Sequence, residues 1–141
     1  MEEIQDIKCS LKSTNVLSII SECLYEQTKE KINLLAENYY NDPNIETYGY
    51  YLEDKIYGVI VIEKKNTENL NILNLAVSKD HQRQGIGSKL IDYIISELAP
   101  KTLTAETDDD AVDFYRKHNF SVTSLGEKYN NVTRYKCEYK W

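Results

Sequence analysis

Two glycines, Gly85 and Gly87, stand between an apolar run that ends at Val77 and an amphipathic run that begins near Leu90. A strand, a glycine loop and a helix in that order can hold an anion. Glycine lets the backbone approach a ligand without a Cβ in the way, and the unpaired N–H groups of a helix start present partial positive charge. Arg83 and Lys89 add cationic side chains to the same stretch. Farther along, carboxylates crowd at Glu106, Asp108, Asp109 and Asp110. Such groups can take a proton from an attacking nucleophile, or they can simply be a solvated helix start stabilised by the dipole.

The common phosphate loops do not match. Leu90 stands where the dinucleotide fingerprint needs its third glycine, and Gly87-Ser88-Lys89 lacks the Gly-Lys-Ser/Thr order of a nucleoside-triphosphate loop. What remains is Gln-x-x-Gly-x-Gly across Gln82–Gly87.

The elements that would position these residues follow from periodicity. Ile4–Cys9 reads as an edge strand, and Val16, Ile19, Ile20 and Cys23 repeat at helical spacing, which predicts a helix over about 14–26. Thr28 opens a second helix with Ile32, Leu34, Leu35 and Tyr39 as its apolar residues, stopped at Asn41-Asp42-Pro43-Asn44. Glu46–Leu52 and Ile56–Ile62 predict a β-hairpin, and Leu70–Val77 is apolar enough to be a central strand. After the loop, Leu90, Ile91, Ile94, Ile95 and Leu98 mark a helix that must end before Pro100. A short strand over 101–105 follows, then a helix capped by Asp108 or a neighbour, with Ala111, Phe114, Tyr115 and His118 facing inward. Strands over 121–125 and 132–139, joined by a loop from Gly126 to Asn131, close the chain. The expectation is a single α/β (mixed-sheet) domain over residues 1–141.

At 141 residues, 41% hydrophobic and 28% charged, the chain is long enough for one real core. A net charge of -6 argues against nucleic acid or an anionic membrane as partner and favours a cationic one. No stretch approaches the roughly 20 apolar residues of a membrane span. Met1-Glu2-Glu3 lacks the start of a secretory leader, so the cytoplasm is the expected compartment. Cys9, Cys23 and Cys137 show no CxxC spacing and read as buried or bystander thiols. With only His81 and His118, a multi-histidine metal centre is excluded, and no metal is expected. Of the 12 tyrosines, the cluster at Tyr39, Tyr40, Tyr48, Tyr50 and Tyr51 reads first as packing with wet hydroxyls and second as a substrate cleft wall.

The loop resembles the acyl-CoA diphosphate loop of the GNAT N-acetyltransferase superfamily, in which a strand enters a Q/R-x-x-G-x-G/A loop and a helix. Ala111–Phe120, A-V-D-F-Y-R-K-H-N-F, is similar to that superfamily's second signature, A-x-x-x-Y-x-k-x-G-F. The order of elements agrees from end to end, although the specific motifs lie within about residues 72–120. The resemblance implies a GNAT-like fold, a central twisted and mostly antiparallel sheet flanked by helices.

It implies that Leu75-Ala76-Val77 pairs with the pantetheine arm and offers a backbone N–H to the oxyanion. Gln82-Arg83-Gln84-Gly85-Ile86-Gly87-Ser88 would hold the diphosphate. Asp108 stands where relatives carry an Asn on the cofactor, with helix capping as its other reading. Tyr115 would be the general acid that protonates the departing CoA thiolate. By itself an aromatic on an inward helix face is a core residue. Asn119 replaces the signature glycine, a substitution that a left-handed helix end tolerates.

A strand carboxylate found in histone-type relatives aligns with Asn71, which cannot be a base. Glu106, Asp109 and Asp110 remain as base candidates, beside a water chain. His81 is expected to be exposed and His118 to end its helix.

The implied activity is transfer of the acetyl group from acetyl-CoA, with CoA as product. The acceptor would be a primary amine of a small molecule, peptide or protein, attacking directly in a ternary complex. A non-catalytic acyl-CoA-binding sensor or partner module is the alternative. Relatives pair through the sheet edge or the C-terminal strand, so the run from Tyr135 to Trp141 reads either as a homodimer contact or as a packed edge.

Overall fold

The structure, a computed structural model, describes residues 2–21, 28–109, 111–129 and 132–140. Seven strands form one sheet: β1 (Glu2–Asp6), β2 (Ile45–Leu52), β3 (Lys55–Lys64), β4 (Asn69–Val77), β5 (Thr102–Asp108), β6 (Ser121–Tyr129) and β7 (Val132–Lys140). They lie in the order β1-β2-β3-β4-β5-β7-β6, antiparallel throughout except for the parallel pair β4 and β5. Helices α1 (Thr14–Ser21), α2 (Lys29–Asn41), α3 (Ile86–Leu98) and α4 (Val112–Lys117) flank it. This is the mixed α/β fold with a mostly antiparallel sheet that the resemblance implies. The apolar run 70–77 is the central strand, as its composition requires.

The sheet separates two cores. On one face Ile60, Ile62, Leu70 and Ile72 pack with Leu90, Ile91 and Ile94 of α3 and with Val112 and Tyr115 of α4. On the other, Val59, Val61 and Ala76 pack with Val16, Ile19 and Ile20 of α1 and with Tyr39 of α2. Because β3 is covered on both faces, Val59–Ile62 is continuously apolar and fully buried.

Several predicted boundaries move. The first strand is Glu2–Asp6, because Lys8 N–H bonds to the Asp6 carboxylate and turns the chain into a 3-10 segment over Lys8–Ser10. Of the first predicted helix, Thr14–Ser21 is described, and its end near 26, with Cys23, lies outside the described residues. Thr28 caps α2 by accepting from Lys31 N–H at 3.1 Å, but Leu34 is 60% exposed and Ala36 takes its place inside.

Strand β5 runs on to Asp108, so Asp108 does not cap α4. Ala111 stands at that cap with no side-chain bond, and the Asp108 carbonyl accepts from Ala111 N–H. Gly126–Tyr129 belongs to β6 rather than to a loop. Register shifts on either side of Gly126 and Glu127 make a bulge that Gly126 admits at φ 78°.

Among the described residues, no helix is long and apolar enough to cross a membrane.

Candidate functional site

The site begins where β4 and β5 part. Their pairing covers only Asn69–Ile72 against Thr102–Ala105. Side chains reinforce that stretch: Thr102 donates to Asn69, and Thr104 Oγ1 donates to Asn71 Oδ1 at 2.9 Å. Asn71 is therefore a clasp between the strands.

At the next residue β4 bulges against β3, since Val61 pairs with Asn74 while Ile62 pairs with Ile72, leaving Leu73 over. The extra residue reverses the faces. Leu70 and Ile72 point to the α3 core, and beyond the bulge it is Leu75 and Val77 that do so, while Ala76 joins the α1 core.

The bulge also decides which backbone groups face the gap. Ser78 N–H bonds to Tyr57 carbonyl at the end of the β3–β4 ladder. Antiparallel alternation then turns the N–H and C=O of Ala76 and Asn74 toward β3, and those of Leu75 and Val77 toward the side β5 has left. Gln82 Nε2 donates to Val77 carbonyl there, at 3.2 Å. On the opposite bank the end of β5 that no longer pairs with β4 is Glu106, Thr107 and Asp108.

The gap opens onto the start of α3. Arg83 and Gly85 both have positive φ, 66° and 82°, and a Cβ on Gly85 would meet nothing within 4 Å. Gly85 is thus required for its conformation, and the space above it is open. It is the N-cap of α3 and has no side chain to offer, so the first helical bond is Lys89 N–H to Gly85 carbonyl at 3.0 Å. The amides of Ile86, Gly87 and Ser88 are the free donors of that helix end.

Gly87 has a different role. A Cβ there would stand 3.3 Å from Phe114 of α4, so its bareness lets the second-signature helix close on the loop. Gln82, Arg83, Gln84 and Gly85 are exposed, Gly87 and Ser88 half-buried, and Ile86 buried as the anchor. Lys89 is committed elsewhere: its ammonium bonds to Glu2 at 2.7 Å and lies over the Tyr50 ring.

Tyr115 is 6% exposed and sits edge-on between Phe114 and Phe120, in the same core as Ile86 and Ala105. Asn119 ends its helix at φ 67°, the left-handed geometry expected there.

The carboxylates are held by partners that the sequence reading missed. Arg134 of β7 faces Glu106 at 3.4 Å and Asp108 at 3.9 Å. Tyr135 donates to Asp109 at 2.5 Å, which pushes its own hydroxyl pKa up. Asp110 lies outside the described residues. An alternating strand pattern over 132–139 carries no sign of which partner an exposed Arg will meet.

Neither histidine is free. His81 is half-buried and stacks on Tyr57 with ring centroids 4.0 Å apart, against the expectation of exposure. His118 follows the last residue of α4 and reaches Ser88 and Asp92 of α3.

Tyr48 and Tyr50 are packing residues on the α3 face, with hydroxyls on Glu46 and Glu2. Cys137 is buried and Cys9 exposed. Among the described residues, no three His, Cys, Asp or Glu side chains are grouped as a metal ion would need.

A pair of central strands that part beside a glycine-bearing helix start with no side-chain cap is the arrangement that the resemblance to the GNAT superfamily implies. The sequence matches the family model for the acetyltransferase (GNAT) domain over residues 10–137, and the chain belongs to that family of acyltransferases.

Solved structures of the same fold agree. A GNAT family acetyltransferase from Elizabethkingia anophelis with acetyl-CoA bound is 18% identical, with a TM-score of 0.77 over 99% of this chain and 98% of that one. The ribosomal-protein alanine N-acetyltransferase of Escherichia coli is 20% identical, with a TM-score of 0.75 over 98% of this chain and 92% of that one. An aminoglycoside 6'-N-acetyltransferase complexed with coenzyme A is 15% identical, with a TM-score of 0.80 over 97% of this chain and 96% of that one. No curated protein matches the sequence significantly.

Proposed function

We propose that the protein, acting as one domain over its whole length, transfers the acetyl group of acetyl-CoA to an amino group by direct attack in a ternary complex. The observation that carries this reading is the fork between β4 and β5, which opens onto the free amides of Ile86–Ser88. The residues fit the cosubstrate: the cradle over Gly85 is open, its φ is one that other residues resist, and Leu75 and Val77 turn backbone groups into the fork. Solved relatives with acetyl-CoA or CoA bound support the same assignment.

The bound thioester supplies an activated acetyl carbon. Gln82–Ser88 hold the diphosphate, Leu75–Val77 run alongside the pantetheine arm, and Asp108 flanks it from β5. An alkylammonium with a pKa near about 10 must lose a proton before its nitrogen can attack. Glu106, on the end of β5 that β4 has left, takes that proton, with Asp110 as the other candidate base. The C–N bond forms as the C–S bond breaks, the carbonyl oxygen leans on an N–H of Leu75 or Val77, Tyr115 gives its proton to the leaving thiolate, and the proton left on the new amide nitrogen passes through solvent to restore the Tyr115 hydroxyl.

The acceptor is a cationic amine of a small molecule or of a peptide. An aminoglycoside and an alanine amino group are the acceptors named for two of the structural relatives.

Thiol release from acetyl-CoA, measured across polyamines, aminoglycosides, amino acids and short peptides, tests this. Turnover with one class is expected and names the acceptor chemistry. Tight acetyl-CoA binding with no release for any class overturns the catalytic reading in favour of a binding module.

A further inference from the structure

One line of side chains ties the first turns of α3 to the end of α4. Ser88 and Asp92 lie one turn apart on α3, and His118, just past the end of α4, stands between them. Its Nδ1 is 3.5 Å from Ser88 Oγ, and its Nε2 is 3.4 Å from Asp92 Oδ1. The imidazole is 19% exposed and lies beside the Phe114 ring, centroids 5.4 Å apart, while Phe114 itself covers Gly87. Ser88 is also the last of the three free amides at the start of α3. Its hydroxyl is carried on the same first turn as those amides.

The chemistry of the line follows from donors and acceptors. A carboxylate opposite Nε2 requires a proton on that nitrogen. In the neutral ring Nδ1 is then bare, and it accepts the Ser88 hydroxyl proton. In the protonated ring Nδ1–H donates to Ser88 Oγ, and the hydroxyl proton is released to point at an anion. Protonation thus turns Ser88 from a donor spent inside the protein into a donor aimed outward, and it puts a positive charge behind it.

The other charges around the ring do not substitute. On α3, Lys89 is bonded to Glu2, and Asp92 is the carboxylate already named. On α4, Arg116 is paired with Asp113 at 2.9 Å and lies over Tyr135 of β7, whose hydroxyl is on Asp109, while Lys117 is exposed.

We infer that His118 is a positioning residue for the cofactor diphosphate, acting through Ser88, so that cofactor affinity follows the protonation of this imidazole. The inference rests on the reading of Gln82–Ser88 as the diphosphate site.

The test is calorimetric titration with dephospho-CoA, which has no group titrating between pH 5.5 and 8, on the wild-type chain and on H118Q, S88A and D92N. The wild-type Kd is expected to weaken about tenfold from the acid to the neutral end, the scale of one charge-assisted hydrogen bond. H118Q and S88A are expected to be flat over the same range, with unchanged melting temperatures. D92N, which no longer fixes the proton on Nε2, is expected to lose most of the slope. A wild-type slope that persists in H118Q, or affinity without slope in the wild type, overturns the role of His118 and leaves the diphosphate site standing. No dephospho-CoA binding at any pH overturns the diphosphate site, and the inference with it.

Discussion

Gly58 on β3 lies directly beneath Ile86, the first residue of α3: a Cβ at position 58 would stand 2.6 Å from Ile86 Cγ2 and 3.1 Å from Leu90 Cδ1. The first turn of α3, and with it the run of free amides, rests this low on the sheet because that position is bare. Gly58→Ala must lift the helix start or push two buried side chains off their rotamers. The expected loss is about 1–3 kcal/mol in urea unfolding, with weaker CoA binding. Unchanged stability and affinity would mean that the helix start does not depend on this contact.

Tyr115→Phe separates chemistry from packing. The ring keeps its edge-on contacts with Phe114 and Phe120, so only a hydroxyl is removed. Turnover is expected to fall about 100-fold or more, the scale of one lost general acid, while acetyl-CoA affinity stays within about twofold. Unchanged turnover would remove Tyr115 from the mechanism and return it to the core.

The motif-bearing parts of the site were legible in the sequence, and the parts made by pairing between distant strands were not. Gln82–Gly87 and the apolar spacing from Leu90 to Leu98 specify a loop and a helix locally, and both stand where they were read. Leu73 carries no mark of the bulge that aims Leu75 and Val77 into the fork, because a bulge belongs to two strands at once. Asp108 looks like a helix cap in one dimension. It is strand because β7 pairs with it, Asp108 opposite Arg134. Arg134 itself was invisible for the same reason. Gly126 reads as a turn residue by composition and is in fact a bulge within a strand.

The contact between Glu2 and Lys89 gives a pH prediction with a definite sign. The Lys89 ammonium, and then the Tyr50 hydroxyl, hold the Glu2 carboxyl below its ordinary value of 4.5. A depressed folded pKa contributes stability above the unfolded value and loses it as pH falls through the folded one. The wild-type advantage over Glu2→Gln in urea midpoint is therefore expected at pH 6 and is expected to be lost progressively as the pH falls below 4.5. Because both groups are exposed, it is also expected to be small and to shrink in 1 M salt. An advantage that grows on acidification would contradict the assignment.

The most direct measurement of the central claim is CoA titration of the wild-type chain and of Gly85→Asp, each checked by its melting temperature. A Cβ at Gly85 meets nothing within 4 Å, so the fold bears only the backbone strain of φ 82°, about 1 kcal/mol. The added carboxylate would stand in the anion cradle. Saturable CoA binding by the wild type and none by Gly85→Asp is expected, with both proteins folded. Equal CoA affinity in the two would contradict that claim, because the diphosphate would then lie somewhere other than this loop.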